Sequence, residues 1–110
     1  MENVLGVLRK DLSSKANKKI RASQQNFFKD DLLIYGLKMA DTKLLARQYY
    51  KGVQALSKSD IFNVCEDLWQ SGYLEEGFIA CDWTWRLKKK YTPDDVKRFK
   101  KWINQYVNNW

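Results

Sequence analysis

Histidine is absent from this 110-residue sequence. That removes Ser-His-Asp and Cys-His nucleophilic machinery, His-ligated metal centres and the usual proton shuttle of neutral pH. Chemistry in this chain must rely on carboxylates, aromatic faces and cations. Proline occurs once and glycine five times, so helical patterns meet few breaks. The two cysteines, Cys65 and Cys81, form no Cys-x-x-Cys pair, and both fall at apolar positions of helical spacing. Buried, reduced thiols are expected there, not a disulfide, a metal site or a nucleophile. No apolar run approaches the roughly 18 residues a membrane span requires. The first residues, Met1-Glu2-Asn3-Val4-Leu5, also lack a basic region followed by a long apolar one. A cytoplasmic protein is expected.

Acids are the scarcer charge: 13 Asp plus Glu stand against 20 Lys plus Arg, a net +7. Most of that excess lies in one window. Between Arg86 and Lys101 the bases are Arg86, Lys88, Lys89, Lys90, Lys97, Arg98, Lys100 and Lys101, while the acids are only Asp94 and Asp95. Clustering of this kind points to a polyanionic partner, nucleic acid first, although a solvated lysine-rich helix face has the same composition. Arg47 and Lys51, four residues apart, are further candidates for the same role.

The apolar fraction of 45% is ordinary, and 15% aromatic residues with five tryptophans argue for a folded chain. One domain over residues 1–110 is expected, burying roughly two-thirds of the surface of the unfolded chain.

Periodicity predicts helix after helix. Val4, Leu5, Leu8 and Leu12 mark a first. Ala16, Ile20, Phe27 and Phe28 mark a second that ends near Lys29-Asp30. Residues 31–39 read as a buried connecting loop bent at Gly36. Asp41 or Thr42 opens a third helix, with Leu44, Leu45, Gln48 and Tyr49 on one face, that closes around Gly52. Ser57 with Asp60 resembles a capping box, and Ile61, Val64, Cys65, Leu68 and Trp69 form a stripe that stops at Ser71-Gly72. A fifth helix runs from about Leu74 to Lys89, with Leu74, Phe78, Cys81 and Trp85 on its apolar face and Trp83 displaced from it. Trp83 and Trp85 are expected in the core ahead of any stacking role. Thr92-Pro93-Asp94-Asp95 is the sharpest boundary: Thr92 caps, Pro93 takes the first helical position, and the acids face the positive end of the dipole. Val96, Phe99, Ile103, Tyr106 and Val107 complete a sixth stripe. About six helices joined by short polar turns make an all-α chain of antiparallel hairpins, either a compact bundle or a HEAT-like α-solenoid, and the broad stripes of the last three helices favour the solenoid.

Several segments together resemble a known family. They are Tyr35-Gly36-Leu37-Lys38-Met39 through Leu44-Leu45-Ala46-Arg47, then Leu68-Trp69, Leu74-Glu75-Glu76, the aromatics before Lys88-Lys89-Lys90-Tyr91, and Trp102-Ile103 through Asn108-Asn109-Trp110. Their order and spacing are similar to the AlkD-like DNA alkylation repair enzymes, which are HEAT-like helical DNA glycosylases. The likeness covers nearly all of this chain and the N-terminal half or so of a full-length member. It implies excision of positively charged N3- or N7-alkylated purines from double-stranded DNA, with neither metal nor other cofactor.

Such a reaction builds positive charge on the deoxyribose, so a carboxylate and electron-rich ring faces beside the sugar assist it. The resemblance assigns a catalytic-site role to Trp110 and places an essential aspartate a few residues after it. Asp94 and Asp95 are capping residues, and Asp67 and Asp82 have no counterpart in the family pattern. The 110 residues alone are therefore expected to be inactive, as a truncated member. By their charge Lys88, Lys89, Lys90, Lys97, Arg98, Lys100 and Lys101 are candidates to line a concave surface that tracks a duplex backbone, and an exposed apolar end is expected to favour self-association. Two alternatives remain beside it: a non-catalytic helical-repeat module that binds nucleic acid or protein, and a pure protein-interaction scaffold.

Overall fold

The computed structural model describes residues 4–26 and 33–106, and these are helical with no named strand. Helix α1 spans Val4–Ser14 and buries Leu8 and Leu12. Helix α2, Lys18–Gln25, starts where the Asn17 side chain accepts the N–H groups of Lys19 and Ile20 at 2.9 and 3.1 Å. Ala16, expected inside this helix, precedes its cap. Phe27, Phe28 and the expected end at Lys29-Asp30 lie outside the described residues.

Helix α3 runs Met39–Val53, two residues earlier than Asp41 promised, and its buried residues are Thr42, Leu45, Ala46 and Val53. Leu44 and Gln48, expected on the inner face, are exposed. Lys38 caps this helix without a side-chain bond, while Thr42 donates its hydroxyl to the Lys38 carbonyl at 3.4 Å.

Helix α4, Lys58–Gln70, begins as its sequence dictates: Ser57 accepts the Asp60 N–H at 3.1 Å. Ile61, Cys65, Leu68 and Trp69 are buried, Val64 is half-buried, and Phe62 joins the core beside them. Gly72, with φ at +77, turns the chain after Ser71. Helix α5, Leu74–Arg86, buries Glu75, Glu76, Gly77, Ile79, Ala80 and Trp83. This reverses the expected phase. Leu74 and Phe78 are half-buried and Cys81 and Trp85 exposed, because α5 carries apolar residues on two sides and packing selected the other one. A 3-10 turn at Lys88–Lys90 leads to helix α6, Pro93–Tyr106. There Asp95 accepts the Thr92 N–H at 2.8 Å, the reciprocal half of a capping box. Val96 and Ile103 are exposed, and Trp102 is the buried anchor instead. Val107 lies outside the described residues.

Helix α3 packs between α1 and α5, and α4 packs on α5 and α6. This leaves α1, α3 and α5 in one row with α4 and α6 in a second, a slab of 40 × 28 × 20 Å compatible with stacked hairpins. One core unites the rows. It runs from Leu8 and Leu12 through Leu45, Ala46 and Trp83 to Phe62, Cys65 and Trp102. The fully buried Trp83 donates its indole N–H to the Ala46 carbonyl at 2.8 Å, fixing α5 against α3.

Residues 33–38 are held by two adjacent glutamates of α5. Glu75 accepts the N–H groups of Tyr35, Gly36 and Leu37 at 3.0, 3.1 and 3.3 Å. Glu76 is fully buried, receives the Tyr35 hydroxyl at 2.6 Å and pairs with Arg9 of α1 at 2.8 Å. Gly36 has φ of +95, and a Cβ there would sit 2.4 Å from the Asn17 carbonyl oxygen. Glycine is therefore required on both conformational and steric grounds.

Candidate nucleic-acid interface

Two ridges of i, i+4 spacing face each other across the α1/α3/α5 row. Lys43 and Arg47 stand one turn apart on α3, and Phe78, Asp82 and Arg86 stand in turn on α5. Between them lies an open groove of about 580 Å³, lined also by Ala40, Asp41 and Leu44. It continues past Tyr50 toward Trp85 and Lys88. Four cations line this continuous surface, Lys43, Arg47, Arg86 and Lys88, against two acids, Asp41 and Asp82.

The aromatic walls orient the cations. Arg86 pairs with Asp82 at 2.8 Å and places its guanidinium over the Tyr50 ring, 5.2 Å from the centroid. Lys88 sits 4.0 Å above the indole of Trp85, which is 62% exposed. A cation over an electron-rich ring is held without losing its charge, so it stays able to meet a phosphate. An exposed indole beside it offers a flat face for a base or sugar.

The basic candidates divide between the two rows. Arg47 is brought together with Arg86 and Lys88, and Lys51 continues the α3 ridge one turn beyond Arg47. Lys89 and Lys90 are exposed in the 3-10 turn that links α5 to α6. Lys97, Arg98, Lys100 and Lys101 belong to α6, in the other row. Arg98 donates to Asn63 at 2.7 Å, lies 3.5 Å from Glu66 and stacks over Trp102 at 5.4 Å. Lys101 is 3.8 Å from the same glutamate. Glu66 also accepts the Trp102 indole N–H at 2.9 Å, and that bond first, then Arg98 and Lys101, holds its carboxyl below the usual range. Arg98 is thus engaged inside the fold, whereas Lys97 and Lys100 project freely into solvent. Trp110 lies outside the described residues.

Sequence reasoning passed over Lys43, although its spacing of four from Arg47, and of four again to Lys51, was there to be read. It also placed Trp85 in the core. The signal against that was the lysine three residues on, since a turn of helix carries Lys88 back over the indole.

Neither cysteine is poised for chemistry. Burial pushes the Cys65 thiol up to about 12, and desolvation first, then Asp82, pushes Cys81 up to about 11. Both are protonated at neutral pH. No disulfide joins them. Cys81 departs from expectation in lying at the surface, on the wall of an apolar groove.

Among the described residues no three or more Cys, Asp or Glu side chains gather as a metal ion would need, and no helix is long and apolar enough to cross a membrane. Comparison with curated proteins and with solved structures gives no match. The family profile described as DNA alkylation repair enzyme matches residues 8–110, which takes in both rows, the groove between α3 and α5 and the basic α6. On that match the chain belongs to the DNA alkylation repair enzyme family.

Proposed function

We propose that the chain is the duplex-binding part of an alkylation repair glycosylase, acting on DNA that carries positively charged N3- or N7-alkylated purines. The observation that carries this reading is the groove between α3 and α5, where Lys43, Arg47, Arg86 and Lys88 stand beside the rings of Tyr50 and Trp85 within a family-matched segment. Lys43, Arg47 and Lys88 contact phosphates and fix the register of the strand. Arg86, steadied by Asp82, does the same from the α5 side. Tyr50 and Trp85 present electron-rich faces toward sugar or base, where positive charge on a deoxyribose is stabilised.

An alkylated purine already bears a positive charge and leaves readily, so little acid catalysis is required and the lack of histidine is no handicap. A carboxylate is still required beside the sugar. Asp82 is engaged by Arg86 and Asp41 belongs to the first turn of α3. The residues of the groove therefore account for binding of damaged duplex, not for cutting it.

The test is a pair of measurements on the purified chain. Binding to duplex carrying 7-methylguanine or an abasic site is expected to exceed binding to undamaged duplex at matched salt. Equal affinity for both duplexes would favour a generic helical-repeat binder. No binding at moderate ionic strength would leave only a protein-interaction scaffold.

A further inference from the structure

Arg86 is held on two sides. Its Nε donates to the Asp82 carboxylate at 2.8 Å, and its guanidinium lies over one face of the Tyr50 ring, 5.2 Å from the centroid. Asp82 stands four residues earlier on α5, the order in which an acid and a base on one helix meet best. Tyr50 comes from α3, on the other side of the groove. It is itself fixed, since it packs on the core and its ring meets that of the buried Trp83 at 6.3 Å. Among the described residues, no ion pair holds Lys43 or Arg47 on the facing ridge.

These contacts shape what the group can do. A guanidinium is planar, so a bond at Nε and a ring against its face leave the edge between Nη1 and Nη2 turned away from Asp82. That edge offers two parallel N–H groups, the pattern that matches two oxygens of a phosphodiester. Arg86 lines both stretches of the groove and its side chain is 34% exposed, so a strand lying there reaches the fork. An unheld arginine gives up rotamer freedom to make the same two bonds, whereas Arg86 has lost that freedom already in folding.

The sign of Asp82 makes the arrangement informative. By charge alone an acid in this groove opposes a polyanion, but solvent and salt screen that repulsion at the surface. The gain from orienting a bidentate donor is not screened in the same way.

We propose that Asp82 and Tyr50 position Arg86 as a preset fork for one backbone phosphate, so that this acid strengthens the hold on a polyanion. The inference rests on the duplex-binding reading and adds to it which cation sets the place of the strand.

The experiment measures the affinity of the chain for a duplex carrying an abasic site over a range of salt concentrations. Arg86→Lys keeps the charge and loses the fork, so affinity is expected to fall roughly fivefold while the slope of log affinity against log salt stays the same. Asp82→Asn is expected to weaken binding about threefold, although removal of an acid would by charge alone tighten it. Asp82→Glu, which keeps a carboxylate four residues before Arg86, is expected to restore most of that loss. Once Arg86 is replaced by lysine, Asp82→Asn should cost nothing further, the mark of two residues acting as one unit. Tighter binding by Asp82→Asn, wild-type affinity in Arg86→Lys, or losses that simply add in the double variant would overturn the positioning role and leave the duplex-binding reading intact. Failure of the unaltered chain to bind duplex would overturn both.

Discussion

The carboxylate of Glu75 accepts the backbone N–H of Gly36 at 3.1 Å, across 39 residues of sequence. Because the neighbouring N–H groups of Tyr35 and Leu37 converge on the same carboxylate, the loop and α5 form one unit. Glu75→Ala leaves buried donors without an acceptor. A loss of roughly 3 kcal/mol in unfolding free energy is expected from urea titration, since bonds to a charged acceptor are among the strong ones. A loss below about 1 kcal/mol would mean that water takes over the acceptor role.

Two tryptophans two residues apart should behave oppositely. Trp83 is fully buried and bonded to Ala46, so Trp83→Phe removes both volume and a bond and is expected to cost about 3 kcal/mol. Trp85→Phe alters a mostly exposed ring and is expected to change stability by less than about 0.5 kcal/mol. Thermal unfolding of the two variants side by side checks the contrast.

Stability is expected to fall in acid. Glu66 is held below its ordinary value of 4.5 by the Trp102 N–H first and by Arg98 and Lys101 after it. For Asp95, burial opposes ionisation, but the Lys58 ammonium at 2.8 Å and the Thr92 N–H outweigh it and hold the group below 3.8. A depressed carboxyl contributes stability that is complete above its unfolded pKa and is lost as pH falls through the folded one. The decline should therefore begin below about pH 5. Glu66→Gln and Asp95→Asn should each flatten it in a series of unfolding midpoints against pH.

Replacing Arg47 or Lys88 by alanine should weaken binding to any duplex and lower the slope of log affinity against log salt by about one unit each. Arg98→Ala should change that slope little, because the guanidinium is engaged by Asn63 and Glu66. Filter binding over a range of salt concentrations distinguishes the two rows. Equal slopes for all three variants would place the strand on α6 as well.

The helix order, the Ser57 and Thr92 boundaries and the turn at Gly72 were legible because they depend on neighbours within a few residues. The phase of α5 was not, since both of its sides are apolar and only the position of α3 and α4 decides which is buried. The clasp of Glu75 and Glu76 escaped notice for a related reason: acids in a first turn already have an explanation in the helix dipole. Likewise Glu66, Arg98 and Trp102 are three separate polar-compatible residues in sequence and a single network in space. The candidate groove was half visible, because the 47/51 spacing showed one ridge, while the opposing ridge at Phe78, Asp82 and Arg86 exists only once α3 and α5 lie side by side.

Helix α2 buries none of its residues. Polar bonds tie it to the loop: Asn17, at its cap, donates its N–H to the Gly36 carbonyl at 3.0 Å, and Gln24 reaches the Leu37 carbonyl at 2.8 Å. Such a segment is hung on the fold like a shutter. Its amides should exchange with deuterium long before those of α4 and α5, and its release would uncover the strip of loop beneath without unravelling the rest.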